Sequence, residues 1–241
     1  MNNLGLSHFW EQADSVSHAV AYILLLLSML SWYFILAKIW LALRVRRSSG
    51  RALEEFWAAD SIERALQNLQ ADDPDQIFSP LAEKCARAAQ HATQGKGLNA
   101  QVDPSELITR TLRQEINQAA ARLESGQTLL ASVGSTAPFI GLFGTVWGIY
   151  HALLSIAGSG QVLIDQIAGP VGEALIMTAA GLAVAIPAVL AYNAFTRFNR
   201  LILAELDGFA HDLHAYFTTG QRVQDSPRAD TRSANNAKVG N

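Results

Sequence analysis

Residues 136–149 read TAPFIGLFGTVWGI and lie within forty consecutive residues, 125–164, that carry no Asp, Glu, Lys or Arg. A run of that kind is membrane-competent, yet this stretch holds three glycines, a proline and two threonines where leucine would suit lipid better. The composition predicts a helix whose small face lies against other protein. As one helix the forty residues would extend about 60 Å, too long for one crossing and a little short for two. The break belongs at Ala157-Gly158-Ser159-Gly160-Gln161.

Two further charge-free runs, 15–37 and 174–196, are each long enough for the roughly 20 residues of a spanning helix. The expected fold is therefore an all-α integral membrane protein with three transmembrane helices. Spans two and three are expected to continue into a cytoplasmic helical bundle. Pro138 and Pro187 fall inside the second and third spans and mark expected kinks, tolerated where neighbours satisfy the freed carbonyls. The expected order is an outside N-terminal arm over 1–18, span one over 19–43 and a cytoplasmic helical loop over 44–125. Span two over 126–157, an outside turn over 158–169 and span three over 170–196 follow. A cytoplasmic helix over 197–220 and a disordered polar tail over 221–241 complete the chain.

Orientation follows from the basic residues beside the spans. None precedes Lys38; Arg44, Arg46, Arg47 and Arg51 come directly after it, and none occurs between Arg122 and Arg197. The N-terminus and the 158–169 turn are thus expected outside, with the 44–125 loop and everything after 197 in the cytoplasm. Span one lacks a basic leader, begins late and is too long for a cleaved signal peptide. Its bulk, with Trp32, Tyr33 and Trp40 towards the inner end and Lys38 able to snorkel, suits an outer, lipid-facing helix. The single Cys85 falls in the loop, where a reduced structural thiol is expected.

The loop reads as helices. Asp60 with Glu63 has capping-box spacing, and Ser79-Pro80 opens a second helix after the breaker DDPDQIFSP. Asp103-Pro104-Ser105-Glu106 is a strong third start, followed by an apolar stripe of Ile108, Leu112, Ile116, Ala119 and Leu123. With no stop signal before the membrane, this helix is expected to run unbroken into span two. Beyond span three, Ile202, Leu206, Phe209, Leu213 and Tyr216 form a comparable stripe, interrupted only by Gly208.

Within the spans, Gly134, Gly141 and Gly148 recur every seven residues, and Gly144 with Gly148 makes a GxxxG pair. Together with Gly181, these are candidates for close helix packing. Thr145 either bonds its own backbone or serves a lumen. Glu173 stands as the acidic residue of a span otherwise rich in alanine, with no Lys or Arg in the adjoining spans. An ionisable group so placed either faces a bundle interior or water path, or sits near enough to the outer interface to stay solvated. Thr178, five residues on, is about 140° further around an ideal helix. His211 and His214 have metal-ligand spacing without a completing cluster, so a solvated face is the simpler account, and His151 reads as interfacial. No P-loop, nucleophile elbow or zinc signature is present, which argues against an enzyme. No cofactor or metal is expected.

The stretch GSTAPFIGLFGTVWGI, followed about thirty residues later by GPVGEALIMTAAGLAVAIPAVLAYN, closely resembles the ExbB/TolQ/MotA proton-channel family. The likeness is dense over 125–200 and architectural elsewhere, and Thr-Ala-Pro at 136–138 is closer to the ExbB branch than to the TolQ branch. The resemblance implies an inner-membrane subunit of Gram-negative bacteria, with its N-terminus outside. It implies a homopentamer around the membrane helices of an ExbD dimer, working with TonB. The proton motive force would then energise outer-membrane uptake of iron-siderophores and vitamin B12. It also implies that Thr145, Glu173 and Thr178 line the lumen, while an Asp on ExbD carries the proton. A TolQ-like subunit of the Tol-Pal system, a stand-alone ion channel and a passive membrane scaffold remain the alternatives.

Overall fold

The computed structural model describes residues 14–94, 103–159 and 164–220, apart from the side chains of 92–94, 155–159, 164–168, 170 and 173. The described part is helical, in six elements. These are α1 (Ser15–Trp57), α2 (Ile62–Asp72), α3 (Ser79–Gln94), α4 (Pro104–Glu124), α5 (Gln127–Ser159) and α6 (Ile164–Thr219). Three stretches are long and apolar enough to cross a membrane: Ser15–Trp57, Gln127–Leu154 and Ala174–Thr219. The tail expected to be disordered lies outside the described residues.

Two compact units emerge. One comprises Met1–Arg44 with Glu124–Asn199, the other Val45–Leu123 with Arg200–Asn241. The first is a three-helix packing of α1, α5 and α6. Val20, Leu24 and Ile35 of α1 meet Leu130, Val133 and Ala137 of α5, and Met177, Ala185, Ala188 and Phe195 of α6. The large residues Tyr22, Leu26, Met29, Tyr33, Leu36 and Trp40 of α1 stay exposed, the pattern of a helix solvated by lipid.

The helix bounds differ from the expected ones at three places. First, α1 begins at Ser15, inside the expected arm, because Asp14 caps it; its carboxylate accepts the Ser17 amide at 2.9 Å. Second, α4 does not run unbroken into α5. Gly126 adopts φ +79° between them, and a Cβ there would lie 2.5 Å from Cδ1 of Phe34. Only glycine accepts both the left-handed backbone and that approach. Third, α6 starts at Ile164, ahead of the expected 170, and continues without interruption to Thr219.

The second unit has an ordinary globular core. Phe56 and Phe209 meet edge to face at 5.1 Å, with Phe78 also against Phe209 at 6.2 Å. Ile108, Leu112, Ala119 and Leu123 are buried along α4, and Ile202, Leu206, Phe209 and Leu213 along α6. One expected member of the α4 stripe is displaced: Glu115, rather than Ile116, is the buried residue. Its carboxylate accepts from Lys84 Nζ at 2.6 Å, which compensates the burial. Two caps also differ. Ser61, not Asp60, caps α2, its hydroxyl accepting from the Arg64 amide at 3.3 Å, while Asp60 pairs with the Arg64 guanidinium. At α3 the buried Asp73 accepts from the amides of Ile77, Phe78 and Ser79 at 3.1, 2.7 and 2.7 Å. It thereby satisfies the donors that begin the helix. Burial pushes the Cys85 thiol up to about 12, so the residue stays a neutral, inert part of the core.

Lys84→Ala leaves the Glu115 carboxylate buried without its cation. We expect it to destabilise by about 2 kcal/mol, less than a fully buried pair because the lysine is half exposed. The double variant Lys84→Met/Glu115→Leu should recover most of that loss. Chemical denaturation in detergent micelles measures both; a double variant no better than the single one contradicts the assignment.

Candidate functional site

Glycine decides how closely α5 and α6 approach. A Cβ at Gly141 would stand 2.5 Å from the carbonyl oxygen of Met177 and 3.1 Å from Cα of Gly181. A Cβ at Gly181 would stand 2.6 Å from the carbonyl oxygen of Ala137. The two backbones therefore touch, and van der Waals contact between them replaces the hydrophobic drive that lipid cannot supply. On either side the contacts repeat: Gly134 meets Val189, and Gly148 meets Cβ of Ala174 at 2.9 Å. At Gly144 all three helices of the unit converge, with Val20 Cγ1 at 3.0 Å and Met177 Cβ at 3.2 Å from the missing Cβ. The bulky residues of the same stretch, Phe139, Leu142, Phe143 and Val146, remain exposed.

The two threonines of TAPFIGLFGTVWGI do different things. Thr136 is exposed and donates to the Ser132 carbonyl of its own helix at 2.7 Å. Thr145 is 6% exposed and lies on the α5–α6 seam. Its hydroxyl is 3.1 Å from the Gly141 carbonyl, 3.1 Å from the Ala174 carbonyl of α6 and 2.5 Å from the Thr178 hydroxyl. Thr145 has one hydroxyl proton for these three acceptors, so either hydroxyl can be the donor of the short Thr145–Thr178 contact. Of the two expectations for Thr145, the bond to its own backbone is present, and the same hydroxyl is turned to α6. Within the chain Thr145 is covered, while Thr178 stays partly open.

Glu173 lies in α6 five residues before Thr178, next to the Ala174 carbonyl that Thr145 contacts; its side chain is outside the described residues. Pro138 and Pro187 sit within continuous helices. His214 Nε2 is 3.2 Å from the Ser105 hydroxyl. Among the described residues no group of three or more His, Cys, Asp or Glu could hold a metal ion.

A contact that sequence reasoning missed links α1 to α5. Asp14 Oδ2 accepts the indole N–H of Trp147 at 2.6 Å, and His151 Nε2 stands 4.0 Å from the same oxygen. In the sequence Asp14 reads as part of the outside arm, and nothing local announces an indole more than a hundred residues away. Burial pushes the Asp14 carboxyl up. The donors of Ser17 and Trp147, with His151 nearby, outweigh burial and hold it below the usual carboxylate range.

The model of the MotA/TolQ/ExbB proton channel family matches residues 76–207. The chain is 42% identical over 234 residues to the biopolymer transport protein ExbB of Xanthomonas campestris pv. campestris, covering 93% of this chain and 92% of that one. It is 39% identical over 213 residues to the biopolymer transport protein ExbB of Neisseria meningitidis serogroup A, covering 88% and 96%. To the Tol-Pal system protein TolQ of Pseudomonas aeruginosa it is 33% identical over 218 residues, covering 86% and 90%.

Gly141→Leu should force the α5–α6 seam apart and cost about 2 kcal/mol or more by overpacking. Leucine at Gly208, where a Cβ meets nothing within 4 Å, should be neutral or stabilising. Unfolding in micelles reads both, and equal effects would contradict the contact. For Asp14 the folded value lies below the unfolded one. Its contribution to stability is therefore present above about pH 4 and lost as the pH falls through the folded value. Wild type should lose more stability on acidification below about pH 4 than Asp14→Asn does. Equal acid sensitivity in the two proteins would contradict the shift.

Proposed function

The chain belongs to the MotA/TolQ/ExbB proton channel family, and from that premise we propose that it is an ExbB-like subunit of a TonB–ExbB–ExbD motor. It uses proton flow across a Gram-negative inner membrane to energise TonB-dependent uptake of iron-siderophores and vitamin B12. The subunit forms a ring, a pentamer, around an ExbD-like dimer. It acts through conformational coupling rather than covalent chemistry.

The observation that carries this reading is the Thr145–Thr178 hydroxyl pair on the glycine seam, between the stretches 125–164 and 174–196, which carry no Lys or Arg. Glu173 precedes Thr178 by five residues on the same helix. A hydroxyl pair can hold and orient a proton or a water beside a guest helix. It cannot by itself form a selective pore, since no filter accompanies it. That favours a motor subunit requiring a partner over a stand-alone channel. Thr178, the open member of the pair, presents it to the lumen, and Glu173 borders the proton path.

The asymmetry of Lys and Arg supports an N-terminus in the periplasm and a C-terminus in the cytoplasm. Identities of 42% and 39% to ExbB proteins, against 33% to a TolQ, support the TonB-linked system over Tol-Pal.

Expressed with a single-span, Asp-bearing partner, wild type should support siderophore-dependent growth. Glu173→Ala should reduce it by at least about tenfold, the factor that goes with one lost interaction to a charged group. Growth unaffected by Glu173→Ala would sink the proton-path role, and proton leakage from the chain without any partner would favour a channel.

A further inference from the structure

The two oxygens of Asp14 have separate tasks. Oδ1 accepts the Ser17 amide at 2.9 Å and caps α1. A cap needs no more than that. Oδ2 leaves the helix altogether and takes the Trp147 indole N–H at 2.6 Å, a charge-assisted bond to α5. The indole is held on its other side as well. Its ring packs on that of His151 at 4.7 Å and on Phe143 at 6.2 Å, while His151 Nδ1 lies 3.3 Å from the Trp147 carbonyl.

Below this clamp the first turns of α1 lie on α5. Ser17, Val20 and Leu24 are 9, 3 and 3% exposed, one face at three- and four-residue spacing. Val20 fills the notch at Gly144, where Met177 closes the third side. Gly144 is followed by Thr145 and Met177 by Thr178. The contacts therefore run without a gap from the carboxylate to the residues adjoining the hydroxyl pair. Close-packed interiors transmit such displacements rather than absorb them.

We propose that Asp14 is a positioning residue, whose bond to Trp147 seats the start of α1 on α5 and so fixes the Val20–Gly144–Met177 junction beside Thr145 and Thr178. The inference rests on reading that pair as part of the proton-linked machinery. Asp14 touches neither hydroxyl; it acts through Trp147 and Val20. Without the bond α1 can lift from the notch, the junction loosens, and the short hydroxyl contact loses its fixed geometry.

Four variants in the full complex test this. Asp14→Ser keeps a good helix cap but is too short to reach the indole. Asp14→Asn keeps the cap and the length but sets an amide N–H, a donor, where Oδ2 took the indole N–H; Asp14→Ala keeps neither, and Trp147→Phe keeps a ring without the N–H. Asn should fall about tenfold in proton-driven uptake, because its one acceptor oxygen cannot serve both the Ser17 amide and the indole. Ser, Ala and Phe should each fall about tenfold, and the double variant Asp14→Ala/Trp147→Phe should be no worse than either single one. Membrane-inserted protein, read by immunoblot, should stay level across the set. In micelles the ¹⁵N-indole resonance of Trp147, assigned by its loss in Trp147→Phe, should move in Asp14→Ser and Asp14→Ala.

Full uptake in Asp14→Ser would overturn the proposal, leaving Asp14 a cap. An indole resonance unmoved by Asp14→Ala would overturn it too. If Glu173→Gln and every Asp14 variant transport normally, the functional reading has failed rather than the bond, which the resonance reports by itself; the positioning role then falls with that reading.

Discussion

Contact between two backbones, at Gly141 on α5 and Gly181 on α6, is the constraint on which the membrane-competent unit depends. Lipid offers helices no hydrophobic reason to associate, so stability comes from fit. A missing Cβ on each side lets carbonyl oxygens approach to distances that any side chain would forbid. Once the helices are that close, the Thr145 hydroxyl reaches the Ala174 carbonyl and the Thr178 hydroxyl across the seam. The hydroxyl pair is thus a consequence of the glycine contact, and α1 closes over the same seam through Val20 at Gly144.

The seam also sorts the remaining side chains. Phe139, Phe143, Val146 and Tyr150 of α5 and Leu175, Leu182, Ile186 and Leu190 of α6 are left exposed by the chain's own packing. Faces of that size suit either lipid or further helices, and a ring of copies around a guest helix would use both. The second unit is held together by different contacts. There an aromatic cluster around Phe209, the buried Asp73 cap and the Lys84–Glu115 pair take the place of backbone fit.

Charge-free length made the three membrane-competent stretches legible in the sequence, because lipid imposes that pattern on any spanning helix. The seven-residue glycine period on α5 was legible too, as was Gly181 as a close-packing residue on α6, though not which residues stand opposite which. Which residues stand opposite Gly141 depends on the register between helices far apart in sequence. The same limit hid the Asp14–Trp147 bond. The break at Gly126 escaped notice because an isolated glycine carries no local sign of positive φ, and Phe34, whose ring takes the place of its Cβ, is far off in sequence. At Glu115 the apolar period pointed one residue off, since a buried ion pair can occupy a core position that hydrophobicity alone assigns to Ile116. Ser61 displaced Asp60 as a cap because Asp60 is engaged with the Arg64 guanidinium instead.

Complementation tests the central claim most directly. Introduced with its cognate partner into a Gram-negative strain lacking both ExbB and TolQ, the chain should restore siderophore-dependent uptake, and a protonophore should abolish that uptake. Envelope integrity against detergent should recover much less. Restored envelope integrity without siderophore uptake would place the chain in the Tol-Pal system, and uptake indifferent to the protonophore would contradict a proton-driven motor altogether.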